Sequence, residues 1–360
     1  MVYMPERNYG CRISSDGTIR GMRTTVLENQ LVRITVLPDK GTDIFEFLYK
    51  PLDVDFMWRS PMGLRNPTTF VPSSATADGA WFDYWEGGWQ EVLPNGGVAS
   101  SYKGASWGLH GETSLIPWDV RVLEDYPERV TVAFWVRLYR SPFYLEKTLS
   151  LEQDSGVLTI AETLINEGRE RMAFMWGHHP TFGEAFLDEH CVIDTGARTV
   201  HNMPEIFFER QRFLPGDQFE WPTGKTRDGG RASVDRVPPA DNNTADMLYL
   251  TDFDEAWYAV TNQKRQVGFG MSWSKEVFPY LWLFQTCRGW TDYPLYSRSH
   301  AMALEPFTSK PNAGISGALD DGSAVYLEPG AALHSVMRAV AYGGGGRVKR
   351  ITQEGKVLWK

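Results

Sequence analysis

Three side chains in this sequence stand where they could move protons. His110 lies in Trp107-Gly108-Leu109-His110-Gly111-Glu112, between a loop and a new strand. His179 belongs to His178-His179-Pro180, after a run ending Met175-Trp176-Gly177. The following proline biases His179 toward extended backbone and stops the strand, which presents an imidazole at a strand end. Glu305 closes the run Ala301-Met302-Ala303-Leu304-Glu305 and is also followed by a proline, Pro306. A carboxylate entering a sheet core needs a partner or a raised pKa. An imidazole and a carboxylate together can deliver and remove protons near neutral pH, so the chemistry indicated is general acid–base catalysis. The remaining histidines, His190, His201, His300 and His334, lie in mixed polar surroundings with no partner pattern. A metal held by His178, His179 and Glu184 is not expected, because neighbours on a strand point to opposite faces. Cys11, Cys191 and Cys287 are far apart and form no CxxC, so they read as reduced thiols that hold no metal.

The elements that must position these groups are strands. Leu31 to Val36 alternates, Val130 to Leu138 reads as a strand partly covered on both faces, and Phe143 to Leu151 and Val157 to Leu164 flank the turn Asp154-Ser155-Gly156. Asn166-Glu167-Gly168 is a further turn, followed by Met172 to Trp176; Trp257 to Thr261, Gln266 to Trp273, Tyr280 to Phe284 and Ala324 to Leu327 continue the pattern. Long amphipathic helical patterns are nearly absent. Many short strands between closely spaced turns predict an all-β protein, a large antiparallel sandwich with few short helices. One domain over 1–360 is expected, with a loop excursion near 221–246 that holds Pro238-Pro239 and Asn242-Asn243, and a basic tail after Gly343 to Gly346 that is either a last strand or a loosely held end.

Composition narrows the partners. The chain has 360 residues and a formal net charge of −9, which argues against nucleic acid and anionic membranes. The longest apolar runs are too short to span a bilayer, and the first seven residues carry an early acid and no apolar core of a signal, so a cytoplasmic setting is expected. No oligomeric state is read from the sequence. The 14 Trp, 15 Tyr and 19 Phe serve a β-rich core, and they also suit a cleft that stacks ring faces on a sugar.

Gly108-Leu109-His110-Gly111 resembles the histidine-glycine motif of the aldose 1-epimerases, the galactose mutarotase-like family. Asn166-Glu167-Gly168 with Gly177-His178-His179-Pro180-Thr181-Phe182 is similar to that family's turn, strand and His-Pro segment, and Leu304-Glu305-Pro306 to its Leu-Glu-Pro acid motif. The resemblance runs from about residue 25 to 340 and takes in Gly87 to Glu91, Pro94-Asn95-Gly96 and Phe278 to Trp282. It implies a β-supersandwich with a cleft on one concave sheet, and an isomerase of carbohydrate metabolism that interconverts the α and β anomers of a monosaccharide or modified sugar without a cofactor. Carried over by motif, Glu305 is the base at O1, His179 the acid at O5, and His110 a hydrogen-bonding partner of the ring-oxygen side. Trp89, Gln90, Asn95, His178, Asp254 and Trp282 are the implied sugar-binding residues. The chain departs from galactose-type members in having Leu109 and Gly177 before its histidines and Gly96-Gly97, with no arginine, after Asn95. Arg59, Arg65, Arg288 and Arg298 are candidates for a charged wall facing a sulfonated, phosphorylated or uronic sugar. The alternatives are an epimerase or lyase acting at a carbon beside a carbonyl, and a carbohydrate-binding or regulatory protein without turnover.

Overall fold

Two antiparallel sheets carry most of the chain. The computed structural model describes residues 7–69 and 77–360, so the reading of the extreme N-terminus lies outside the described residues. An eight-stranded sheet contains the long hairpin Phe143–Glu152 and Val157–Asn166, flanked by Arg129–Arg137 and Ala332–Gly343. Val157–Asn166 alternates between buried and half-buried positions, as a strand does when one face meets a core and the other meets solvent.

The second sheet is twelve-stranded, and five neighbouring strands at its centre build the site. In chain order they are β1 (Trp89–Val92), β2 (Gly177–Gly183), β3 (Thr244–Thr251), β4 (Tyr280–Cys287) and β5 (His300–Phe307). In the sheet they run β1-β2-β5-β4-β3. β1, β2 and β5 are buried along their whole length, because one face packs into the sandwich and the other lies under a second aromatic layer. Phe182 and Phe47 of this sheet both meet Phe269 of the other, each with ring centroids 5.2 Å apart, so the sheets are joined by interlocking aromatic edges.

The described residues hold two α-helices, α1 (Ala77–Asp83) and α2 (Gly314–Asp320). The loop-like stretch near 221–246 carries a small hairpin of Thr223–Lys225 and Arg231–Ser233, and strand β3 begins inside its end. The basic tail forms the hairpin Val348–Ile351 with Val357–Trp359 and is held by charge: Arg347 Nε and Lys360 Nζ lie 3.0 and 2.7 Å from the buried Asp194 carboxylate. The three cysteines are free and buried. No helix among the described residues is long and apolar enough to cross a membrane.

Candidate functional site

Strand register draws the site together. β1 pairs Gln90 with His179, and β4 pairs Trp282 with both Glu305 on β5 and Tyr249 on β3. The β2–β5 register, which sets Thr181 against Ala303 and Gly177 against Phe307, puts His179 opposite Glu305. Directly opposed residues of antiparallel strands share a face. Gln90, His179, Glu305, Trp282 and Tyr249 therefore form one row across five strands.

His179 Nε2 lies 3.5 Å from Glu305 Oε1, and His179 Nδ1 is 3.0 Å from Thr181 Oγ1. The other Glu305 oxygen, Oε2, is buried with no hydrogen-bond partner in the structure. Burial pushes the Glu305 carboxyl well above its usual range. The same burial lowers His179 from 6.5 to about 4.

His110 arrives from a loop. Its backbone is left-handed, at φ 56°, a conformation that histidine adopts more readily than most residues. Gly111 follows at φ 73°, and a Cβ there would stand 2.3 Å from the Leu93 carbonyl oxygen, so this position requires glycine. The Gly97 N–H donates to His110 Nδ1 at 3.1 Å, and the His110 N–H donates to the Gly97 carbonyl at 2.9 Å. With Nδ1 accepting, the neutral ring carries its proton on Nε2. Burial, and then the neighbouring His179, hold the His110 pKa well below the usual histidine value. The two imidazole centroids are 5.3 Å apart.

A cleft of about 460 Å³ opens over His110, His179 and Glu305. Its walls are largely aromatic. Trp81 packs edge-on against His110 at 4.6 Å and tilts over His179 at 5.5 Å, while Trp85 meets His179 at 5.8 Å. Trp282 lines the floor, stacked on Phe307 at 4.0 Å and donating from Nε1 to the Ser309 carbonyl at 2.9 Å. Phe207, Phe208 and Trp290 close the outer side.

The remaining sequence-derived residues lie elsewhere. Strand alternation turns Trp89 and His178 to the opposite face from His179, into the sandwich. There Trp89 Nε1 donates to His178 Nδ1 at 3.2 Å, which leaves His178 Nε2–H to reach Glu162 Oε2 at 3.1 Å. Beside them Lys147 Nζ pairs with Glu91 Oε2 at 2.8 Å, and Trp176 Nε1 donates to the other Glu91 oxygen at 2.8 Å. Glu91, Glu162 and His178 have the proximity of a metal set, but Lys147 already supplies the positive charge among them.

Gln90 is on the cleft face, buried, with Oε1 unpartnered, and is not part of the cleft wall. Asn95 is a loop brace: Nδ2 donates to the carbonyls of Val98 and Gly108, and Oδ1 accepts from the Ile315 N–H, which ties the His110 loop to α2. Asp254 is exposed and paired with Arg198 at 2.8 Å, outside the cleft. Of the four arginines considered for a charged wall, none lines the cleft. The aromatic roof from Trp81 to Trp85 and the outer pair Phe207-Phe208 were missed in the sequence, where their only signal is the local density of aromatic residues.

The fold recurs in solved structures. A candidate aldose 1-epimerase from Klebsiella pneumoniae superposes with a TM-score of 0.69 at 14% identity, over 93% of this chain and 84% of that one. A galactose mutarotase-like protein from Clostridium acetobutylicum gives 0.64 at 15% identity, over 93% and 99%. A galactose mutarotase related enzyme from Lactobacillus acidophilus gives 0.59 at 15%, over 91% and 100%. At such identities the likeness is one of fold: the chain has the galactose mutarotase-like β-sandwich. No curated protein matches the sequence. A family model does match, over residues 19–338, and the chain belongs to the family it describes, Domain of unknown function (DUF4432).

Proposed function

We propose that this protein is a cofactor-free mutarotase that opens and recloses a sugar ring to interconvert its anomers. The observation that carries the reading is the His179–Glu305 pair, 3.5 Å apart on adjacent strands, under an aromatic roof with His110 beside it. Ring opening takes a proton from the anomeric hydroxyl, forms the C1 carbonyl, breaks the C1–O5 bond and puts a proton on O5. Rotation about C1–C2 and the reverse transfers give the other anomer. One base and one acid suffice, so a pair sharing a single proton is the right complement.

Burial favours that proton on Glu305, with His179 neutral. A sugar hydroxyl donating to the unpartnered Glu305 Oε2 stabilises the carboxylate and moves the proton toward the imidazole. The loaded pair then has Glu305 as base at O1 and His179 as acid at O5, with the His110 Nε2–H steadying charge on the ring-oxygen side.

The test is saturation-transfer NMR of anomer exchange across neutral and acidic sugars in weak buffer. Acceleration by the wild type, reduced about 10²–10⁴-fold in Glu305→Gln while sugar still binds, is expected. A full rate in Glu305→Gln removes the carboxylate from the mechanism. Solvent deuterium appearing on carbon would replace the reading with epimerase or lyase chemistry.

A further inference from the structure

The cleft walls also restrict what kind of sugar can enter. Among the described lining residues there is no lysine or arginine, and the sequences of 1–6 and 70–76 contain neither. Arg59 is paired with Asp55 and lies 3.9 Å over the Phe45 ring, Arg298 donates to the carbonyls of Leu295 and Pro294, and both line a different depression beside His300. Beyond Phe207, Phe208 and Trp290 the surface continues into a hollow of about 320 Å³ that carries Glu209 and Asp292. A phosphate, sulfonate or carboxylate would therefore lose its water with no lysine or arginine among the described lining residues to receive it, and with two carboxylates in the adjoining hollow.

The hydrogen-bonding inventory points the same way. His110, His179, Glu305 and Asn312 are the ionisable or amide side chains among the described lining residues. In the mutarotase reading three of them are committed to O1 and O5. Asn312 and the indole N–H of Trp85, which is buried without a partner, are left for the remaining hydroxyls, each of which brings a donor and two lone pairs. A hydroxyl buried against Phe82, Phe208, Met247 or Phe284 goes unpaired, whereas a C–H edge or methyl group there is favourable.

We propose that the cleft selects an uncharged sugar with part of its hydroxyl edge missing, a deoxyhexose, and rejects phosphorylated, sulfonated and uronic sugars. The exclusion of charge follows from the walls alone; the preference for missing hydroxyls rests on the mutarotase reading.

Two matched series test it: D-fucose, D-galactose, D-galacturonate and galactose 6-phosphate; and D-quinovose, D-glucose, D-glucuronate and sulfoquinovose. Binding is read by tryptophan fluorescence in wild type and Glu305→Gln, and anomer exchange by NMR in wild type. In at least one series the 6-deoxy sugar should bind at least about tenfold tighter than its parent hexose, and about a hundredfold tighter than the charged members. A charged member binding as tightly as its 6-deoxy counterpart, a parent hexose preferred in both series, or no binding by any sugar overturns the proposal. The two readings fail separately. The expected binding order without faster exchange supports the selectivity and sinks the mutarotase; fast exchange of a charged sugar does the reverse.

Discussion

Acid should destabilise this protein through the imidazole assigned to the chemistry. His179 is buried, and its folded pKa is lowered by burial from 6.5 to about 4. A histidine with a depressed folded value is neutral in the native state, while the unfolded chain takes up a proton as pH falls below 6.5. Stability is therefore lost from about pH 6.5 downward, and the loss levels off below about pH 4. The gap of about 2.5 units corresponds to about 3 kcal/mol once fully developed. His110 contributes with the same sign. Glu305 has the opposite sign: its raised folded pKa means the unfolded chain releases a proton first, so it lowers stability as pH rises above the ordinary carboxylate range. Because these slopes partly cancel, the test is a difference between proteins. Urea unfolding of wild type and His179→Gln, near pH 7 and near pH 4.5, should show wild type losing about 2–3 kcal/mol more than the variant between the two conditions. The same titration predicts an acid limb near pH 4 in wild-type kcat/KM, where the His179–Glu305 pair becomes doubly protonated. Equal pH dependence of stability in the two proteins, within about 0.5 kcal/mol, would refute the claim that the cleft holds His179 neutral.

Two further substitutions separate cleft from scaffold. His178→Ala removes the partner of Glu162 Oε2 and of Trp89 Nε1 inside the sandwich, and should cost about 3 kcal/mol in urea unfolding while the exchange rate per folded molecule stays within about threefold; a rate falling as far as in His179→Ala would show that the inner imidazole takes part in turnover. Asp254→Ala breaks an exposed pair with Arg198 and should leave stability within about 0.5 kcal/mol and sugar affinity unchanged; a clear loss of affinity would return that acid to the binding site.

The parts of this protein that the sequence makes legible are those with one wet face. Val157–Asn166 alternates because its outer side meets solvent, and the hairpin through Asp154-Ser155-Gly156 was readable for that reason. β1, β2 and β5 carry no such signal, since an aromatic layer covers the face that would otherwise be polar. His110, His179 and Glu305 could be singled out because few residue types move protons. Asn95 and Asp254 show the limit of that approach. An asparagine can bind a ligand or brace a loop, and Asn95 spends both ends of its amide on backbone groups. The roof was hidden for a different reason: Trp81 and Trp85 follow no strand period, and only tertiary packing reveals what they cover.

His178 and His179 are adjacent in the chain and identical in type, yet the fold gives them opposite tasks. The inner ring has both nitrogens occupied, by Trp89 and Glu162, within a network that also pairs Glu91 with Lys147 across the two sheets. A ring so committed has no free nitrogen for a ligand. The outer ring is bonded at Nδ1 and has Nε2 directed toward a carboxyl that itself has an unpaired oxygen. That open end would be costly in a sealed core, where buried polar atoms find partners. In a cleft it is what a substrate can complete. The roof that dries the cleft is itself anchored by charge: Glu86, next to Trp85, lies 2.6 Å from Lys40 Nζ, which also holds Asp43. The buried ions thus serve the scaffold on both flanks of the row, and His179 and Glu305 are left in a pocket whose described lining residues include no lysine or arginine, where desolvation sets their pKa values.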